Sequence, residues 1–430
     1  MIPLPEPPIA QPHDSKLLFA PMSDSSRTQR TYRSELWRAA SAGVLETAGS
    51  TFLLLIALRW FGAGSWSKAF VAAGSSVGLL FSPLVVAFVT RNSLETSRAA
   101  ASILAFGAAM FLVAAALPSL SVYVICSATA MATSAAIIPL LTQMYQENYP
   151  EKERGRLFSR TVMIRIATAA LFSKCAGDAL SGHLERFRFL LGVFAAALAF
   201  ASFCLSRCPT RPIAPDETVH PLRSLRFIQD DPIFRRTLIC WMFMGFANLM
   251  MLPLRVEYLG NPKYQQHAAV ATIALLTGVV PNLARLVMSP IWGYLFDHMN
   301  FFALRVTLNI GFAIGILTFF MTGTMTGMVC AAIVFGISNA GGDVAWSLWV
   351  TKFAPPERVA DYMSIHTCFT GIRGVLAPLI GFYLVTRLSM GTLAAISSGL
   401  IAFATLLLVP EIKFAGGGKL KPALLEEVSD

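Results

Sequence analysis

The stretch SPIWGYLFDHMNFFALR, residues 289–305, closes a long apolar run with one aspartate and then an arginine, and SPLVVAFVTRNSLETSR at residues 82–98 repeats its outline. Ser-Pro opens both and Arg ends both, 207 positions apart. Two further phrases keep the same order. YPEKERGRLFS (149–159) and FAPPERVADYMS (353–364) carry Glu-Arg at nearly the same place, with Arg154 and Arg358 separated by 204 positions. GVLE (43–46) and GFAN (245–248) correspond at an offset of 202, which sets Asn248 against Glu46. Three phrases in one order at similar offsets indicate a duplicated unit.

Composition says what kind of unit it is. Of the 430 residues, 55% are hydrophobic and only 13% charged, where a soluble chain carries about a quarter charged residues. Apolar windows recur near 37–58, 66–89, 99–117, 121–145, 158–181, 187–206, 236–258, 268–295, 306–324, 326–349, 361–386 and 388–409. Each is long enough for the roughly 20 helical residues that cross a bilayer core of about 30 Å. The runs lack strict alternation, so helices are expected and a barrel is not.

The expected class is therefore an all-α integral membrane protein with twelve transmembrane helices in two pseudo-symmetric six-helix bundles. The bundles are expected at 36–206 and 236–409, joined by a cytoplasmic linker at 207–235 whose Pro and Arg content reads as a loop. Asp231-Pro232 suits the cap and first turn of the seventh helix. Residues 1–35 and 410–430 read as cytoplasmic tails, the first polar, proline-containing and without the apolar core of a signal peptide.

The net charge of +10 raises the question of nucleic acid, and its distribution answers it. With the N-terminus inside, 23 of the 34 basic residues fall on cytoplasmic segments, seven on the opposite side and four within spans. That bias is the positive-inside rule, and it puts both termini in the cytoplasm of a cell membrane. No nucleic-acid role is needed. The seven cysteines lie mostly within spans and no His set accompanies Cys204 and Cys208, so neither a disulfide framework nor a metal site is expected.

With this topology the chain resembles the major facilitator superfamily, the twelve-helix secondary transporters, over about residues 35–410. The family's signature between spans 8 and 9 is Gly, three residues, Asp, then basic residues. Gly293, Asp297 and Arg305 match that outline, with His298 and Asn300 departing from it. In the first half Val86 and Thr90 replace Gly and Asp, leaving Arg91 and Arg98. The resemblance implies gating at Gly293, Asp297, Arg305, Arg91 and Arg98, the Gly allowing close helix approach and the Asp latching onto cations in one access state. The family's antiporter motif is missing from span 5, which disfavours antiport. A looser series in span 11, Gly371, Gly374, Pro378 and Gly381, reads as a bend or packing motif.

Charge inside a bilayer is costly, about 2.5–3.5 kcal/mol on insertion scales, so the few intramembrane charges mark a cavity or each other. They are Glu46, Arg165, Lys174, Asp178, Arg285, Asp343 and Arg373. None falls in spans 3, 6, 9 or 12, which the resemblance makes peripheral. Arg285 and Arg373 lie too deep to snorkel, about 18 and 22 Å along their helices from Asp297 and Arg358. Each needs a carboxylate, a wet cavity or an anionic ligand. Lys174 and Asp178, one turn apart, satisfy each other. Glu46 and Asp343 can take up protons in a low-dielectric cavity, or can sit in fixed ion pairs with Arg165, Arg285 or Arg373. Asn248, Asn282 and Asn339 add uncharged polar contacts, Asn339 one turn from Asp343, with Trp346 a turn beyond.

The expected function is secondary active transport of a small polar or anionic solute, coupled to protons, by a monomer in the lipid bilayer that uses no cofactor. A phosphate-binding loop of the Walker type is missing, which argues against an ATP-driven pump. The alternatives are a non-transporting sensor or regulator with a transporter fold, and a polytopic membrane transferase. The scattered histidines and the single Asp230-Asp231 pair disfavour an enzyme.

Overall fold

The chain was described from a computed structural model, covering residues 24–211, 226–352, 354 and 359–414. These residues form twelve long helices. The first half holds α1 Ser25–Arg59, α2 Ser65–Arg91, α3 Thr96–Ala116, α4 Leu120–Asn148, α5 Glu151–Leu180 and α6 Leu184–Ser206. The second holds α7 Pro232–Gly260, α8 Val270–His298, α9 Phe301–Met321, α10 Met325–Leu348, α11 Val359–Leu384 and α12 Met390–Phe414. Eleven of them are long and apolar enough to span a bilayer. The exception is α5, whose Arg160, Arg165 and Lys174 interrupt its apolar run. The protein is a multi-pass integral membrane protein.

Local chemistry fixes the helix starts. Asp231 accepts from the Phe234 amide at 2.9 Å with Pro232 in the first turn, as its sequence suggests. Asn300 accepts from the Phe302 and Ala303 amides and so separates α8 from α9. The first helix starts earlier than its apolar window. Residues 24–35, read as part of a polar tail, are helical and pack their Thr31 and Glu35 against α4. The residues that carry Arg358 of the repeat lie outside the described residues.

Within each bundle, α3 packs on α6 and α9 on α12. These four helices find their main partners inside their own half, as peripheral helices do. The bundles meet along two seams related by the repeat, α2 against α11 and α5 against α8. Small residues make the seams possible. A Cβ on Gly371 would stand 2.7 Å from the Leu80 amide nitrogen, and one on Gly374 would stand 2.2 Å from Ser76 Oγ. The span-11 glycines are thus a packing motif. On the other seam Gly278 and Gly177 lie as close to Ser173 and Ala274.

Polar links between the halves run from the middle of the molecule to the end away from the termini. Arg59 donates to the carbonyls of Gly260 and Ala268, and Lys68 pairs with Glu257 at 2.7 Å. Toward the termini, each half is cross-linked only to itself among the polar contacts of the described residues. In one half Arg27 bonds Glu147, and in the other Arg236 bonds Glu411.

Candidate functional site

Two helices depart from α geometry where they meet. Ala48–Phe52 in α1 and Leu275–Val279 in α8 are π turns, each containing a glycine. Thr51 and Thr277, one from each turn, hydrogen-bond at 2.9 Å across the halves. An extra residue in a turn re-aims the side chains around it, and such bulges gather at functional sites. Here Glu46 sits just before one bulge and Arg285 one to two turns after the other.

Arg285 is the hub. Its Nη1 donates to Glu46 Oε1 from the first half, and its Nε donates to Asp343 Oδ2 on α10. A further contact runs from Nη1 to Asn282 Oδ1 at 3.3 Å. Arg165 of α5 approaches the other Glu46 oxygen at 3.2 Å, close enough for ion pairing but not aligned as a hydrogen bond. Two guanidiniums thus face two carboxylates, and the network is formally neutral. Its exposure is uneven. Arg285 is 4% exposed, while Glu46, Asp343 and Arg165 are 28%, 34% and 34% exposed. The carboxylates and Arg165 are therefore partly accessible, and the shared cation between the carboxylates is sealed. Removing one member of such a set leaves an uncompensated buried charge, a cost of about 3–5 kcal/mol.

Other residues read from the sequence lie elsewhere. Asn339 is half-buried on α10, outside the network. Asn248, the repeat counterpart of Glu46, lines a small cavity with Arg255, Gly315, Phe319 and Phe335. Lys174 and Asp178 bond each other at 2.6 Å. Arg373 is buried against α7, where its Nη1 donates to the Trp241 carbonyl. Neither Glu46 nor Asp343 is its partner.

The gate residues are also dispersed. Asp297 is exposed and pairs with nothing among the described residues, and Arg91 is exposed. Arg98 bonds Glu95 within its own helix turn, at 3.0 Å. A Cβ on Gly293 would meet nothing within 4 Å, so no helix approach depends on that glycine in this conformation. Arg305 was expected beside Asp297 in a loop. It is instead inside α9, 2% exposed, with its guanidinium 3.6 Å from the Trp241 ring centroid. The ninth helix is therefore not free of charge, because α9 begins at Phe301 and takes in a residue counted with the loop.

Sequence reasoning missed the Lys68–Glu257 pair, 7% and 2% exposed, which closes the end away from the termini. Asn261 also donates to Glu257 Oε1 at 2.7 Å, and Lys68 lies over the Phe382 ring of α11. Both charges sit about a turn inside their helices, near enough to the ends to pass as loop charges. It also missed His366, fully buried on α11. A histidine inside an apolar window was the available signal.

This architecture, two six-helix bundles around a charged midplane, defines the fold class, and comparison with solved structures agrees. The chain resembles a point mutant of the nucleoside transporter NupG with a TM-score of 0.70 at 13% identity, over 89% of this chain and 99% of that one. A D-xylose-proton symporter superposes at 0.64 and 15% identity, over 89% and 96%. An inward-facing bacterial homolog of the human lysosomal transporter Spinster gives 0.62 and 13%, over 91% and 96%. The fold is that of the major facilitator transporters, and the proteins sharing it here are transporters, not enzymes. No family model matches the sequence. No curated protein matches it either.

Proposed function

We propose that the chain is a secondary active transporter that moves a small polar or anionic solute by alternating access, in symport with protons. One observation carries the reading: Arg285 is shared by a carboxylate from each half. A proton on Glu46 removes the one ion pair of this network that crosses between the bundles and leaves Arg285 to Asp343. It also frees Arg165 to meet an electron-rich group on the solute. Binding chemistry and the contact between the halves are then one equilibrium, as coupled transport requires.

The rocking bodies would be residues 36–206 and 236–409, pivoting on the α2–α11 and α5–α8 seams. The basic-residue bias supports cytoplasmic termini, which makes this conformation inward-open with Lys68–Glu257 as its outer lock. Asp297 and Arg91, exposed and without ion pairs, would latch the inner end when it closes; Arg305 is withdrawn from that gate by its burial. The similar folds support a polar solute, since those proteins are named for nucleosides and for xylose with protons.

The test is solute-dependent proton uptake in proteoliposomes across a screen of small anions, sugars and nucleosides, beside Glu46→Gln. Uptake that alkalinises the exterior and vanishes in the variant is expected. Solute flux without proton movement, unchanged by the variant, makes Glu46 a structural partner and removes proton coupling. Silence across the screen turns the reading toward a sensor with a transporter fold.

A further inference from the structure

The second half contains a polar cluster that the central network does not use. It surrounds the indole of Trp241 on α7. Arg305 of α9 and Arg373 of α11 stand 3.6 and 5.8 Å from the ring centroid, and the His366 ring stands 5.2 Å from it. Arg305 is 2% exposed, Arg373 4% and His366 0%.

The hydrogen-bond inventory of this cluster does not balance. Arg305 Nη1 and Nη2, Arg373 Nε and Trp241 Nε1 are buried without acceptors, and both ring nitrogens of His366 lack partners. The single bond made is Arg373 Nη1 to the Trp241 carbonyl. No carboxylate pairs with either arginine among the described residues. A guanidinium keeps its charge in a protein and cannot accept a hydrogen bond, and an indole N–H only donates. Aromatic faces offset part of two buried cations but accept none of these hydrogens in line. A small oxyanion offers the several acceptor lone pairs and the negative charge that match these donors and two cations.

We propose that this cluster is an anion site, distinct from the central network, that takes a phosphate-like or carboxylate oxyanion on Arg305 and Arg373, with His366 and the Trp241 N–H as further donors. Trp346 supplies the way in. Its partly exposed ring stands 5.5 Å from His366, three residues from Asp343 on the same side of α10. The ring thus stands between the cluster and the Asp343 end of the central network. The same chemistry can come from a free oxyanion or from the phosphate of an anionic lipid.

The experiment uses the purified full chain in detergent. Thermal unfolding and tryptophan fluorescence are followed while sodium phosphate replaces sodium chloride at constant ionic strength. Parallel samples carry phosphatidylglycerol or phosphatidylcholine. The expected result is a saturable rise in the unfolding midpoint with phosphate, together with a fluorescence change. The apparent Kd should weaken by about tenfold or more in Arg305→Met and in Arg373→Met, the loss of a charge-assisted hydrogen bond. Stabilisation by phosphatidylglycerol alone, lost in the same variants, assigns the site to a lipid headgroup. No response to phosphate or phosphatidylglycerol in the unaltered protein overturns the proposal. A response of equal size in both variants overturns it too, because the anion then binds elsewhere. Should a methionine variant fail to fold, His366→Phe provides the second reading, with weaker phosphate binding expected and unchanged binding counting against the site.

Discussion

The two halves repeat one backbone, yet their terminus-side poles are built from opposite chemistry. In the first half Arg38 donates to both oxygens of Glu35, at 2.6 and 2.8 Å, and to the Tyr145 hydroxyl at 2.9 Å, while Tyr145 donates back to Glu35. Within this set every charge is answered. At the repeat offsets of 202 and 204, Glu35, Arg38 and Tyr145 correspond to Thr237, Cys240 and Trp349. The second half has exchanged its carboxylate for a hydroxyl, its arginine for a thiol and its phenol for an indole; it has gained Arg373 and has buried Arg305, whose repeat counterpart Arg98 is exposed. Duplication preserves the packing frame, because bundle geometry needs only small and apolar residues at the contacts. Electrostatics is free to diverge, because a charge set needs only local balance.

The contrast can be broken directly, and the largest effect is expected in the satisfied pole. Glu35→Gln leaves Arg38 buried beside a neutral amide and should cost about 3–5 kcal/mol of stability, read as a lower unfolding midpoint. Arg305→Met in chloride buffer should leave the midpoint unchanged or raise it, since no anionic partner is lost. Equal losses in both would erase the distinction between the poles. Between the halves, Lys68→Met strands Glu257 and should cost a comparable 3–5 kcal/mol or so at the closed end away from the termini. Faster cysteine labelling at that end is the readout, and pairing it with Glu257→Leu should restore much of the protection. At the seam, Gly374→Val has to displace Ser76 and should cost about 1–3 kcal/mol, or force the halves apart in cross-linking. The smallest effect belongs to Asp297→Asn, within about 0.5 kcal/mol by thermal unfolding, because the carboxylate is exposed and without an ion pair here. A larger effect on the proposed transport than on stability would mean that Asp297 finds its partner only when the terminus-side end closes.

Much of this was legible in the chain because a bilayer penalises isolated charge and broken helices so heavily. Glu46, Arg165, Arg285 and Asp343 stood out for that reason, and all four converge. Arg373 and Arg305 were visible as well, but not their surroundings. Depth along a helix says that a charge needs company and does not say which neighbour turns toward it. Lys68, Glu257 and His366 gave weaker signals, since a charge near a helix end and a lone histidine both have ordinary explanations.

The sequence by itself determined the number of helices, the duplication and the list of charges that had to be compensated. Hydropathy and repeat spacing are local along the chain, so they survive reading in one dimension. Only the tertiary structure decided that Arg285 bridges the halves, that a buried ion pair closes one end, and that two arginines share an indole with no acid between them among the described residues. Those outcomes depend on which helix faces meet, set by glycine contacts and by π turns hundreds of residues apart in the chain, and no local pattern encodes that meeting.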